Sequence, residues 1–101
     1  MKRVIVRYRV KPEEAAHNEE LVRAVYEELH TARPADLRYA TFVAEDGVSF
    51  FHVASIEATD GRSALPELAA FQRFQENIGE RCDEPPVVTE LREVGTYRLL
   101  A

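Results

Sequence analysis

The stretch that most limits what this chain can fold into is residues 37–58, LRYATFVAEDGVSFFHVASIEA. Asp46-Gly47 separates two alternating apolar runs, which is the pattern of a β-hairpin. A two-residue type I′ turn there needs positive φ at both central residues, a conformation that Asp and Gly tolerate. The turn sets the register, and the register sorts the side chains into two faces. Leu37, Tyr39, Thr41, Val43, Phe50, His52, Ala54 and Ile56 share one face; Arg38, Ala40, Phe42, Ala44, Ser49, Phe51, Val53 and Ser55 share the other. A half-solvated ribbon alternates apolar with charged residues, whereas this one carries aromatics on both sides. Each face needs a cover, and a chain of 101 residues has helices for only one of them.

The flanking segments supply those helices. Residues 3–10, RVIVRYRV, alternate as a strand, with Val4, Val6, Tyr8 and Val10 toward the helices and Arg3, Ile5, Arg7 and Arg9 away from them. Pro12 opens a helix that runs to His30 or Thr31, its buried stripe formed by Leu21, Val22, Val25, Tyr26 and Leu29. A second helix is expected over 64–80 from the spacing of Leu65, Leu68, Phe71, Phe74 and Ile78, with Gly79 as a stop signal. Asp83-Glu84-Pro85-Pro86 reads as a rigid linker into a last strand, 87–94, and Gly95 separates that strand from an apolar tail, 96–100. The order β-α-β-β-α-β is the ferredoxin-like arrangement: a four-stranded antiparallel sheet, strands 1 and 3 central, both helices on one face. An uncovered apolar sheet face is an aggregation hazard, and a two-fold homodimer closing two such faces together resolves it.

Composition narrows the function classes. The length fits one domain, residues 1–101, with a core that needs neither disulfide nor metal. A formal charge of −5 argues against nucleic-acid binding, and the cluster Lys2, Arg3, Arg7, Arg9 and Lys11 lies beside an acidic helix that neutralises it. No apolar run approaches the roughly 20 residues of a membrane span. The single cysteine, Cys82, excludes an internal disulfide and fits a reducing compartment, and Met1-Lys2-Arg3 leads directly into a strand, so the cytoplasm is the expected location. His17, His30, His52 and Cys82 have no metal-ligand spacing, and four scattered glycines form no phosphate loop. No metal or nucleotide cofactor is expected.

Three segments carry a family resemblance: the Phe-rich strand FHVASIEATDGR, the helix AFQRF, and DEPP before the last strand, preceded by ARPADLRYATF. Together they resemble the antibiotic-biosynthesis-monooxygenase-like group of the dimeric α+β barrel superfamily, over nearly the whole chain. The resemblance implies paired subunits whose sheets close into a barrel. Within the group, some members oxidise aromatic polyketides with molecular oxygen and neither metal nor flavin, some cleave haem, and others isomerise small lactones. The cofactor-free oxygenases use a tryptophan and an asparagine near the pocket. This chain has no tryptophan, and its asparagines are Asn18 and Asn77, both on helices. Haem-degrading members carry a histidine on the second helix, which 64–80 lacks, so haem cleavage is not expected.

His52 is the foremost candidate for chemistry. A titratable ring in a central strand, opposite Thr41, serves either as an acid/base group facing a substrate oxygen or as a neutral core histidine bonded to Thr41 or Tyr39. Arg9 and Tyr39 are candidate oxyanion stabilisers. Arg7 is a candidate for an anionic ligand, or else Arg7 and Arg9 form salt bridges to Glu90 or Glu93 on the last strand. Phe50, Phe71 and Phe74 form either a pocket wall or plain core. Two functions follow. One is a cofactor-independent monooxygenase or isomerase of a small hydrophobic, enolisable or aromatic compound; the other is a non-catalytic ligand-binding or structural homodimer.

Overall fold

The computed structural model describes residues 1–99. Four strands, β1 (Lys2–Val10), β2 (Leu37–Val43), β3 (Ser49–Ile56) and β4 (Cys82–Leu91), form one antiparallel sheet in the order β2-β3-β1-β4. The ferredoxin-like order holds, with β1 and β3 central. Three helices, α1 (Ala15–Ala32), α2 (Ala69–Gln75) and α3 (Ile78–Arg81), complete the fold.

The hairpin keeps the expected register but not the expected turn. Thr41 stands opposite His52 and Val43 opposite Phe50. Only Gly47 has a positive φ, +76°, while Asp46 remains in the ordinary region, so the turn is not type I′. The Gly47 N–H instead donates to the Ala44 carbonyl at 2.9 Å and the Ala44 N–H to the Ser49 carbonyl at 2.9 Å. The Asp46 carboxylate holds the loop, with Oδ1 accepting from the N–H groups of Val48 and Ser49 and Oδ2 from the Ser49 hydroxyl. A four-residue loop has the same parity as a two-residue one, so every side chain stays on its assigned face.

The second helical region departs from a continuous helix. It splits into a 3₁₀ turn at Leu65–Glu67, then α2, then α3. Leu68 is extended, and the Ala70 N–H at the start of α2 is capped by Glu28 Oε1 from α1 at 2.8 Å. Asn77, at φ +56°, ends the helical path before α3. Gly79 lies inside α3 and stops nothing. Residues 83–86 are not a linker either: they belong to β4, an edge strand, where proline's missing N–H can face away from the sheet. Register shifts against β1 between Arg7 and Arg9 and again before Val10 accommodate them. The strand ends at Leu91 rather than residue 94. The first helix opens with a 3₁₀ turn at Pro12–Glu14 and ends where Arg33 adopts φ +49°, just before Pro34.

The core lies between the helices and one sheet face: Tyr8, Val10 and Phe50 from the sheet, Val22 and Val25 from α1, Leu65, Leu68 and Phe74 from the second helical region. The opposite sheet face carries Ile5, Phe51, Val53 and Phe42. Phe42 is 56% exposed and Val87 on β4 48%. Part of this face is crossed by the segment after β4, where Glu93 pairs with Arg3, and Leu99 lines a groove of about 240 Å³ with Ala40, Phe42 and Val53. Residue 100 of the apolar tail falls outside the described residues.

Candidate functional site

The helix-covered face buries a connected set of polar side chains. His52, at the centre of β3, is 4% exposed. Its Nε2 lies 2.8 Å from the Tyr8 hydroxyl on β1, and its Nδ1 lies 2.7 Å from the Tyr39 hydroxyl and 3.1 Å from Thr41 Oγ1, both on β2. Cross-strand registry puts them there, since Val6 and Thr41 flank His52 on neighbouring strands and Tyr8 and Tyr39 stand one pleat away on the same face. From α1, Asn18 Nδ2 donates to the Tyr8 hydroxyl at 2.9 Å, and the Tyr26 hydroxyl lies 2.7 Å from Thr41 Oγ1. Asn18 Oδ1 accepts from Arg81 Nε at 3.3 Å. The remaining Arg81 donors reach the carbonyls of Phe74 (2.6 Å) and Glu76 (2.8 Å) at the end of α2. The large majority of buried polar groups in folded proteins are satisfied in this way.

Electrostatics keep the imidazole and the phenols of the set neutral at physiological pH. Burial lowers the His52 imidazole to about 4 from its ordinary 6.5, and among the described residues no carboxylate pairs with it to oppose this. Burial also raises the phenols of Tyr8, Tyr39 and Tyr26, and the neighbouring phenols Tyr26 and Tyr8 push Tyr39 further in that direction. His52 is a neutral imidazole and the three tyrosines are hydrogen-bonding phenols.

Two clefts open between α1 and β2. One, about 350 Å³, is lined by Tyr26, Leu29, His30, Arg33, Pro34, Leu37 and Tyr39. Its neighbour, about 210 Å³, is lined by Tyr26, Thr41, Phe42, Val43 and Phe50 along with α1 residues. His52 lines neither; its partners Tyr39 and Thr41 stand between it and the open space.

The candidates read from sequence divide accordingly. Tyr39 joins His52 directly. Phe74 packs on the His52 ring, with centroids 5.3 Å apart, and Phe50 stacks on Tyr8 at 5.5 Å and an interplanar angle of 7°. Phe71 touches Phe74 and is half-buried at the edge of the core. Arg7 and Arg9 point to the opposite side of the sheet, so grouping Arg9 with His52 as an oxyanion stabiliser is corrected: β1 itself stands between them. Arg9 pairs with Glu84 at 3.1 Å, not with Glu90 or Glu93, because the irregular register of β4 brings Glu84 opposite it. Arg7 has no ion pair among the described residues and lines a separate cleft of about 400 Å³ with Phe51, Ser49 and Val87. Three participants were not singled out from sequence: Asn18, Tyr26 as a hydrogen-bonding group, and Arg81. Asn18 was legible in principle, because it falls four residues before Val22 and so continues the buried stripe of α1 with a polar side chain. Arg81 carries no such signal, since its burial follows from the break at Asn77.

No family model and no curated protein matches the chain. Solved structures do. A protein described as an antibiotic biosynthesis monooxygenase superposes with a TM-score of 0.75 at 18% identity, covering 94% of this chain and 100% of the other. A Bordetella bronchiseptica protein provisionally assigned the same activity gives 0.65 at 22% identity, covering 92% and 96%. A Nitrosomonas europaea protein of unknown function gives 0.72 at 14% identity, covering 95% and 91%. At such identities the likeness concerns the fold, which carries many chemistries. The resemblance first visible in the Phe-rich strand, the AFQRF helix and the DEPP segment therefore extends to three dimensions, and the chain has the fold of the antibiotic biosynthesis monooxygenase structures.

Proposed function

We propose that this protein binds a small hydrophobic, enolisable or aromatic compound in the cleft between α1 and β2, and that it acts there as a cofactor-independent monooxygenase or isomerase in the form of a homodimer. One observation carries the reading: Tyr39 both lines a cleft of about 350 Å³, walled by apolar side chains together with His30 and Arg33, and hydrogen-bonds, at 2.7 Å, to a buried neutral histidine. Leu29, Leu37, Pro34 and Tyr26 receive the ligand's apolar body. As the ligand enolises its C–H proton passes to water in the open cleft, and the Tyr39 hydroxyl, backed by His52, meets the oxygen on which negative charge grows. In the oxidation, CH₂ and O₂ become C=O and H₂O with no added reductant. In the isomerisation, the same enolate is reprotonated at another carbon. His52 acts through Tyr39 and is a positioning residue.

The uncovered sheet face supports the homodimer. Phe42 and Val87, together with the half-buried Ile5, Phe51 and Val53, form the kind of surface that two copies bury against each other.

Anthrone, an enolisable aromatic ketone, is the test compound. Conversion to anthraquinone with matching oxygen uptake, reduced about a hundredfold in Tyr39→Phe, is the expected result. Binding of anthrone at Tyr26 and Tyr39 without oxygen uptake would favour the second reading, a non-catalytic ligand-binding dimer, which has the seclusion of His52 from the cleft in its favour. Absence of both binding and uptake would overturn the site.

A further inference from the structure

Resting on that reading of the cleft, we infer that Arg81 and Asn18 set the proton position on His52, holding it as the Nδ1–H tautomer, so that the phenolic hydrogen of Tyr39 is left to donate to a carbonyl, enolate or phenolate oxygen of the ligand.

The assignment follows from counting donors along one buried chain. Arg81 has only donors, and its Nε is directed at Asn18 Oδ1. That contact fixes which end of the Asn18 amide faces which neighbour: the oxygen meets Arg81, and the NH₂ meets Tyr8. The Tyr8 oxygen therefore accepts from Asn18. Its single hydrogen is then free for the other atom it touches, His52 Nε2 at 2.8 Å. A nitrogen that accepts carries no hydrogen, so the imidazole proton lies on Nδ1. The free side chain favours the opposite tautomer, Nε2–H, and the protein reverses that preference through a charge two residues removed.

The consequence appears on the far side of the ring. Nδ1 faces two hydroxyls, Tyr39 at 2.7 Å and Thr41 at 3.1 Å. With Nδ1–H donating to the nearer oxygen, Tyr39 accepts from His52 and its own hydrogen is not used on the ring. With the other tautomer Tyr39 would donate inward and present only lone pairs to the cleft. The Thr41 hydroxyl is engaged by Tyr26 at 2.7 Å. Asn18 is fully buried and Arg81 6% exposed, and among the described residues no carboxylate pairs with the guanidinium. The charge is directed along the chain instead of being neutralised beside it.

The test reads the tautomer by ¹⁵N–¹H correlation through two bonds on His52 of the full chain at about pH 8, with no ligand present. The expected pattern is an unprotonated Nε2 and a protonated Nδ1. The near-isosteric Asn18→Asp variant reverses the chain: its carboxylate pairs with Arg81 and accepts from Tyr8, Tyr8 then accepts from His52, and the tautomer switches to Nε2–H. Affinity for 1-tetralone, an aromatic ketone offered in the absence of oxygen so that it is not oxidised, should fall about fivefold in that variant, the loss of one hydrogen bond. A wild-type His52 in the Nε2–H form would overturn the inference without any variant, as would a variant that folds and keeps Nδ1–H. A switched tautomer with unchanged 1-tetralone affinity would overturn the link to the cleft. Failure of 1-tetralone to bind either protein would count against the ligand site alone, because the tautomer is read without it.

Discussion

Acidification should weaken this fold through His52, by an amount that can be worked out. The imidazole is lowered to about 4 in the folded chain and regains its ordinary 6.5 when unfolded. Between those values the unfolded chain holds a proton that the folded chain refuses, so stability falls as pH drops from about 6.5 and the loss levels off below about 4. The groups packed against the ring are the Tyr8, Tyr39 and Thr41 hydroxyls and the Phe74 ring, none of which stabilises an imidazolium as a carboxylate would. The two titrations give a loss of about 1 kcal/mol at about pH 5.5 and about 2–3 kcal/mol at about pH 4.5, relative to about pH 7.5.

Other groups titrate in the same range, so the measurement is a difference. Urea unfolding of wild type and His52→Gln at one protein concentration, across those three pH values, cancels the carboxylates common to both. His52→Gln should be the less stable protein near neutrality, since glutamine cannot engage Tyr8 and Tyr39 at once. Its deficit should shrink by about 2–3 kcal/mol by about pH 4.5. Two parallel stability curves would refute the reasoning. They would mean that the ring is hydrated and titrates alike in the folded and unfolded chain.

Three further outcomes can be checked. Tyr8→Phe removes the group that joins Asn18 Nδ2 to His52 Nε2, stranding two buried polar atoms, and should cost about 2–4 kcal/mol by denaturant unfolding. Phe42→Glu places a charge on the exposed sheet face and should shift the species in sedimentation velocity from dimer to monomer while leaving far-ultraviolet circular dichroism unchanged; an unchanged sedimentation coefficient would dismiss that face as the interface. Gly47→Ala meets no atom within 4 Å of the new Cβ, so its cost is the positive φ alone, about 1 kcal/mol in thermal unfolding.

The sheet was legible because its signals are local and redundant. Alternation in 3–10 and 37–56 assigns the faces, and the longer loop stays centred on Asp46-Gly47, which is why the wrong turn type left Thr41 opposite His52. The second helical region was less legible, since its apolar spacing survives a break: Leu65, Leu68 and Phe74 all reach the core although Leu68 is extended and Asn77 left-handed. DEPP misled for a related reason. Two prolines read as a linker unless the strand is known to lie at an edge, and edge position is a property of the assembled sheet.

The polar chain through His52 shows where reading a sequence by elements stops. Each link joins residues on different elements: Arg81 to Asn18 across 63 positions, Tyr8 to His52 across 44, Tyr39 to His52 across 13. Periodicity places Tyr8, Tyr39 and His52 on one face, and it places Asn18 on the buried stripe of α1. It carries no information about which nitrogen meets which oxygen. Arg81 is the sharper case, because it enters the chain only through the backbone reversal at Asn77, which turns α3 so that the guanidinium reaches the last carbonyls of α2 and Asn18 together. Arg81 thus joins, through Asn18 and Tyr8, a chain that ends on His52 two strands away. The reach of Arg81 into the buried chain therefore depends on the backbone break at Asn77, where the second helical region departs from a continuous helix.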